Sequence, residues 1–294
     1  LNKKVIQEFK IKASEAETRL DLIVAEKLAV TRSNAQKLIR DEQVMVNDAV
    51  SAAKYLTVKG DNIAVYEAKK TKTPDITIIF EDEDFLVIDK PAGITVHPAP
   101  GEASQTIAEV FSSKYKGKQK TDRDMIVHRL DKGTSGLMIL AKNETSRAAL
   151  AKQFADRKVS KTYVALVFGK MLPTEGVIDM PLARDIISKN KIAPADEGKD
   201  AKTLYKVTQQ YKGYALVTAN PKTGRTHQIR VHFSAIGHPL YGDVRYGARE
   251  TGGKRIFLHA RELSFIHPTT GKRVKFRAEL PNELNEVIAG LELE

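Results

Sequence analysis

The sequence predicts an α+β protein made of two unequal parts. Three observations carry that reading. Strand-like segments outnumber helical ones and arrive without regular β–α alternation, which disfavours a doubly wound parallel sheet. The 294 residues suit one large domain or two of different size. A charged, Thr-rich stretch ending in proline at residues 67–74 reads as a linker, leaving a small module at 14–66 and a body at 75–294.

In the module, residues 19–28 place Leu20, Ile23, Val24 and Leu28 on one face at helical spacing. A second helix follows over residues 31–39, started by a hydroxyl cap at Thr31 or Ser33. Its other face carries Arg32, Lys37 and Arg40. Val44 to Val46 then form a strand, Asn47 and Asp48 a turn, and residues 61–65 close a short sheet. The body opens with a strand at 76–80, an acidic turn at 81–84, and a strand at 85–89 that runs into Lys90-Pro91-Ala92-Gly93. Residues 138–141 read as a buried strand. Asn143 caps a helix to about Arg157 with Leu150 and Phe154 on its apolar face, and residues 163–168 form another strand. Further on, Ile229, Phe233 and Ile236 mark one face of a helix that Thr226 is placed to cap and Gly237 to end.

Charge narrows the partners. Lys and Arg number 48 against 37 Asp and Glu, a formal net charge of +11, which fits a polyanion: nucleic acid or an anionic membrane surface. The longest apolar runs are strand-sized and no basic amphipathic helix stands out, so the membrane is set aside. There is no cysteine, which excludes disulfides, thiolate nucleophiles and cysteine-ligated metals. The first residues lack the apolar stretch of a secretory signal, so a cytoplasmic protein is expected. Without a heptad seam, a monomer is expected. No phosphate-binding loop, dinucleotide fingerprint or zinc-protease motif occurs, and His227 and His232 are five apart, a poor spacing for two ligands on one helix. Neither cofactor nor metal is expected.

Three segments can carry chemistry. His128-Arg129-Leu130-Asp131-Lys132-Gly133-Thr134 packs a histidine, two cations and a carboxylate into a loop just before a buried strand. Read alone it is a tight turn or a site, since a cation beside Asp131 favours the ionised form in either case. Residues 223–237 bring Arg225 to a helix entry and Arg230 to its first full turn, either solvated or paired. At Lys158-Val159-Ser160-Lys161-Thr162-Tyr163, a tyrosine enters a strand behind two lysines, and core packing is the simple account of it.

Together and in order, H-R-L-D-K-x-T-S-G-L, K-x-Y-x-A-L-V-x-G and T-G-R-T-H-Q-I-R-V-H resemble the pseudouridine synthases of the large-ribosomal-subunit (RluA/RluD) family. Asp89 to Gly93, His97-Pro98 and Gly237 to Asp243 add to the likeness. Residues 18–66, with R-L-D, then T-R-S-x-A-Q-x-L-I-R, then V-x-V-N, resemble the alpha-L RNA-binding module. The resemblance implies a small alpha-L domain ahead of a catalytic domain on a mostly antiparallel mixed sheet. It implies isomerisation of uridine to pseudouridine in large-subunit ribosomal RNA or a pre-ribosomal particle, with transfer RNA as the alternative substrate and a non-catalytic RNA-binding assembly factor as the alternative role. No cofactor is needed, because the product is an isomer.

By the same resemblance, Asp131 is the essential carboxylate, acting as nucleophile or base. Arg230 pairs with it, and Tyr163 stacks on the base. Arg129 fills the gap left by the extruded nucleotide, with His128 and Thr134 beside the substrate. Flipping is a mechanical requirement for a base inside a helix. Arg19, Arg32, Ser33, Lys37 and Arg40 face an RNA backbone from the module. Lys132, Lys161 and Arg225, together with Lys158 and Lys222, are expected around the rim of the site. Gly133 stands where many relatives carry an acidic residue, which leaves Asp131 in the catalytic position.

Overall fold

A computed structural model describes residues 5–67, 75–97, 105–114, 125–186, 188, 191–247 and 255–294. Residues 68–74 of the expected linker and Pro98 of the His97-Pro98 pair lie outside the described residues.

The N-terminal unit has a four-stranded antiparallel sheet of β1 (Val5–Lys10), β2 (Val44–Val46), β3 (Ala49–Val50) and β4 (Asn62–Tyr66), ordered β1-β4-β2-β3. Two helices, α1 (Leu20–Lys27) and α2 (Arg32–Arg40), pack together, and Leu20, Ile23, Val24 and Ile39 join Val44 and Ile63 in one core. Thr31 is the cap of α2, accepting the Asn34 N–H at 3.3 Å. β1 lies ahead of the expected start of this module at residue 14 and pairs along β4. Five of the six β1 residues are exposed, so its membership rests on backbone pairing and leaves no apolar alternation to read.

The body is a nine-stranded mixed sheet. Its strands are β5 (Thr77–Glu81), β6 (Phe85–Lys90), β7 (Ser135–Ala141), β8 (Ser160–Phe168), β9 (Glu175–Asp179), β12 (Lys202–Tyr211), β13 (Tyr214–Pro221), β14 (Leu258–Ile266) and β15 (Arg273–Arg277). A separate ribbon pairs β10 (Leu182–Arg184) with β11 (Ile192–Pro194). The order is β5-β6-β7-β14-β8-β13-β12-β9, with β15 also on β14. Every pairing is antiparallel except β7 with β14. The α+β expectation is therefore met, and the single parallel pair is what makes the sheet mixed. That pair sits tight at Gly136. Its φ is +112°, and an added Cβ would lie 2.3 Å from the Ala260 carbonyl oxygen, so only glycine fits.

Four helices cover the sheet: α3 (Ile107–Lys114), α4 (Glu144–Ala155), α5 (Gln228–Ala235) and α6 (Asn282–Ala289). Asn143 caps α4 through the Ser146 N–H at 2.8 Å, and Leu150 packs with Phe85, Leu137 and Phe265. Ile229 and Phe233 of α5 lie with Ala165, Val217 and Ala219 over the middle of the sheet. The two ends of α5 differ from expectation in one respect. Gly237 does end it at φ +85°, but Thr226 does not cap it. The cap position is His227, which is left-handed (φ 54°, ψ 18°) and makes no side-chain cap bond.

Candidate active site

The loop before β7 and the turn before α5 meet over the centre of the sheet and wall a cleft of about 450 Å³. That volume is ordinary for a small-molecule site. Among the described residues, Asp131 is the only carboxylate on its lining, beside the cations Arg129, Arg157, Lys161, Lys222, Arg225 and Arg230. The Asp131 side chain keeps 18% of its surface exposed, so the carboxylate is held but reachable.

Local bonds fix each side chain. The Asp131 carbonyl accepts the Thr134 N–H at 3.1 Å, closing the turn, and the Lys132 carbonyl accepts the Gly93 N–H at 2.7 Å. Behind them lies Lys90, fully buried, its Nζ donating to the carbonyls of Pro91 and Ile94 at 2.9 Å each. Burial and the nearby Arg255 pull its pKa down to about 7. On the other wall, the buried Gln228 side chain accepts the Arg225 N–H and the Thr223 hydroxyl, and donates to the Lys202 carbonyl and the Thr203 hydroxyl. Those four bonds hold the turn that forces His227 into its left-handed conformation, which is uncommon outside glycine.

Arg230 is buried and shared by two acids. Its Nε and one terminal nitrogen donate to Asp243 at 2.6 and 2.9 Å, a bidentate pair. The other terminal nitrogen reaches Asp131 at 3.4 Å. The guanidinium also lies over the Tyr246 ring, 4.9 Å from its centroid. Burial opposes its charge, but the two acids outweigh burial and raise its pKa. His227 Nε2 stands 3.9 Å from the same Asp131 oxygen.

Tyr163 lines the cleft from β8, in register with Ala219 on one side and Ala260 on the other. Small neighbours leave its ring room over the sheet. Burial first, and then the Asp131 charge, push the phenol up, so it stays neutral. Lys161 donates to the Thr223 carbonyl at 3.3 Å, and burial brings its pKa down to about 8.

The structure thus gathers Asp131, Tyr163, Arg230, Arg129, Thr134, Lys161 and Arg225 in one cleft. Thr134 is buried at its base, and Arg225 also donates to the Asp200 carbonyl at 2.9 Å. Three of the expected residues sit differently from these. His128 lines the cleft, but its Nε2 accepts the Ile139 N–H at 2.9 Å and its ring stacks on Phe154 at 4.5 Å. Burial, helped by Lys161, lowers its pKa to about 3, so it anchors the loop as a neutral ring. Lys158 and Lys132 are exposed and do not line the cleft, Lys158 lying 3.5 Å from Asp156, whereas Lys222 does.

In the N-terminal unit, Ser33, Lys37 and Arg40 are exposed on α2. Arg19 and Arg32, their side chains 39% and 52% exposed, also donate to the fully buried Asp21, at 3.0 and 3.1 Å, with Gln36 at 2.6 Å. Arg19 above all, against the effect of burial, holds that carboxyl far below its usual range. Sequence reasoning gave no role to Lys90, His227, Asp243 or Tyr246. Three of them stand in the quoted segments, and Tyr246 lies just beyond one.

Comparison with known proteins agrees with this geometry. The family model described as RNA pseudouridylate synthase matches residues 84–235, and the S4 domain model matches residues 18–63. The chain is 41% identical over 224 residues to ribosomal large subunit pseudouridine synthase D of Zymomonas mobilis, covering 71% of this chain and 70% of that one. It is 37% identical over 287 residues to the protein of the same name from Pseudomonas aeruginosa, covering 90% and 89%. In structure it is similar to human RNA pseudouridylate synthase domain containing 1, with a TM-score of 0.61, 28% identity, and 75% and 89% coverage.

Proposed function

We propose that this chain, which belongs to the RNA pseudouridylate synthase family and carries an S4 domain near its N-terminal end, isomerises uridines of large-subunit ribosomal RNA. One observation carries the reading of the site. A single reachable carboxylate, Asp131, sits inside a ring of cations with a buried arginine 3.4 Å away and a neutral tyrosine in the same cleft.

The reaction breaks the bond between ribose C1′ and N1 of uracil, turns the base, and joins C1′ to C5, expelling the C5 hydrogen. Asp131 supplies the carboxylate for this exchange, as nucleophile on C1′ or as base toward the ribose. Arg230 aims it, and is itself fixed by Asp243 so that no reorganisation is needed when water leaves. Tyr163 stacks on the freed uracil and holds it while it rotates. Arg129, exposed at the mouth, replaces the extruded nucleotide in the helix, and Lys161, Lys222 and Arg225 hold the flanking phosphates. Ser33, Lys37 and Arg40 give the S4 domain its backbone contacts. The protein acts as a cytoplasmic monomer. Among the described residues, no helix is long and apolar enough to cross a membrane.

The test is tritium release from large-subunit ribosomal RNA labelled at C5 of its uridines, which needs no knowledge of the target position. Release by the intact protein and none by Asp131→Ala is the expected result. Release from transfer RNA alone would move the substrate. Silence on both RNAs, with RNA binding kept by Asp131→Ala, would replace the enzyme with an RNA-binding assembly factor.

A further inference from the structure

His227 is held by contacts that the reaction above leaves without a task. Its Nδ1 lies 2.7 Å from the Tyr246 hydroxyl, and that hydroxyl oxygen already accepts the Ile192 N–H at 3.2 Å. A phenol has one proton to give, and with Ile192 donating to its oxygen, giving that proton to Nδ1 supplies the hydroxyl with one bond of each kind. Nδ1 is then an acceptor. In a neutral imidazole, the ring proton must therefore sit on Nε2. Nε2 is the atom facing Asp131, 3.9 Å from Oδ2, inside the cleft.

We propose that Tyr246 and His227 form a positioning device for the reaction, in which Tyr246 fixes the Nε2–H tautomer of His227 and that N–H is aimed at Asp131 Oδ2, the oxygen that Arg230 also faces. At 3.9 Å the two are beyond hydrogen-bond distance. The bond closes when RNA fills the cleft and displaces water, so the donor favours the ionised carboxylate at the moment of reaction. The inference rests on Asp131 being the reacting carboxylate.

The surroundings suit this role. The groups facing the ring are Asp131, Asp243 and Tyr246, with Arg230 and Arg245 as cations. Burial and the two arginines outweigh the acids and hold the imidazole neutral below its ordinary pKa, so tautomer choice matters at working pH. The same Tyr246 ring carries the Arg230 guanidinium on its face at 4.9 Å and meets His227 edge-on at 5.5 Å. One side chain thus orients both donors toward Asp131. The left-handed backbone at His227 is a local strain of the kind that gathers at functional positions.

Two substitutions separate donor position from backbone. Gln places its amide where Nε2–H stands, and Asn where Nδ1 stands. Asn also tolerates the left-handed conformation better than Gln, so a backbone role would favour Asn. The proposal expects the reverse. His227→Gln lowers kcat/KM for tritium release from ribosomal RNA by about three- to fivefold, and His227→Asn by about 10–100-fold, the worth of a charge-assisted hydrogen bond. Tyr246→Phe lowers it about tenfold. Nitrogen-15 spectra of the RNA-free protein provide a reading that needs no substrate. The signal that disappears in His227→Gln must show a protonated Nε2 and a bare Nδ1 at pH 7 in the wild type, and lose that preference in Tyr246→Phe. A protonated Nδ1 in the wild type overturns the proposal whatever RNA is modified, as does His227→Asn matching or exceeding His227→Gln in activity. Absence of wild-type release from any RNA, beside the expected spectrum, would count against the isomerase reading and not against the tautomer.

Discussion

Each unit of this protein gathers arginine and aspartate around one buried charge, and the two arrangements are wired in opposite senses. In the S4 domain, one acid gathers several donors. Asp21, with no exposed side-chain surface, accepts from Arg19, Arg32 and Gln36. In the catalytic domain, one cation is divided between two acids. Arg230 is spent on Asp243, whose side chain is 1% exposed, and reaches Asp131 only at 3.4 Å. The lesson lies in the remainder. A carboxylate whose lone pairs are all engaged has finished its work in the folded state, whereas Asp131 is held by one long contact and keeps capacity for a substrate. Asp243 plays toward Arg230 the part that Asp21 plays toward Arg19, and that leaves Asp131 free to react.

The sharpest way to break this contrast is to remove Asp131. Asp131→Asn is expected to lower isomerisation at least about 1,000-fold while leaving the melting temperature unchanged, because little of the fold leans on that carboxylate. A drop in melting temperature as large as that of a core variant would place Asp131 with Asp21 as a structural acid and end the comparison.

Asp243→Asn comes next. It strips the bidentate partner from a buried guanidinium, which costs about 3–5 kcal/mol when a buried pair is broken on one side. Activity is expected to fall about 100-fold as well, since Arg230 then swings to satisfy itself on Asp131. Chemical denaturation and tritium release, measured together, must both fail. Activity lost without stability would mean that Asp243 touches the substrate.

How much of this was legible beforehand follows the same division. The Asp131 loop was legible because a histidine, two cations, a carboxylate and a glycine crowd into seven residues ahead of a strand. The caps at Thr31 and Asn143 were legible because the cap residue and its helix are adjacent in sequence. Asp243 and Tyr246 were not. Their partners Arg230 and His227 lie 13 and 19 residues away, and the pairing depends on a left-handed turn that no propensity announces. The bonds of Arg19 and Arg32 to Asp21 were hidden for a related reason. A basic surface reads the same in sequence whether or not its guanidiniums also reach a buried acid. The strand β1 escaped because it contributes backbone and little side-chain burial.

Asp21→Asn is the third way to test the contrast. It should destabilise the S4 domain by about 2 kcal/mol through lost charge-assisted bonds, and leave the rate of isomerisation on bound RNA unchanged. Acid should mimic it. The folded carboxyl sits below its unfolded value near 4, so its stabilisation is present above that value and is lost as pH falls through it toward the folded pKa. Hydrogen exchange in α1 and α2 should therefore rise below about pH 4 in the wild type. The same exchange should already be high at pH 7 in Asp21→Asn.

The smallest effect belongs to a cation on the cleft wall. Burial brings Lys161 to a pKa of about 8, so in the free protein it is charged below that pH and neutral above it. A phosphate beside it can be bound only by the charged form. The affinity for RNA should therefore weaken as pH rises through 8, appearing in KM while kcat holds. The change is about three- to fivefold, because an ion pair at a partly exposed rim is worth at most about 1 kcal/mol. It should also shrink as salt is added. Lys161→Arg keeps its charge throughout, so it should abolish the alkaline loss while preserving the salt dependence. An alkaline loss that persists in Lys161→Arg would assign it to another group, and would leave the Thr223 carbonyl, 3.3 Å from Nζ, as the whole of what Lys161 serves.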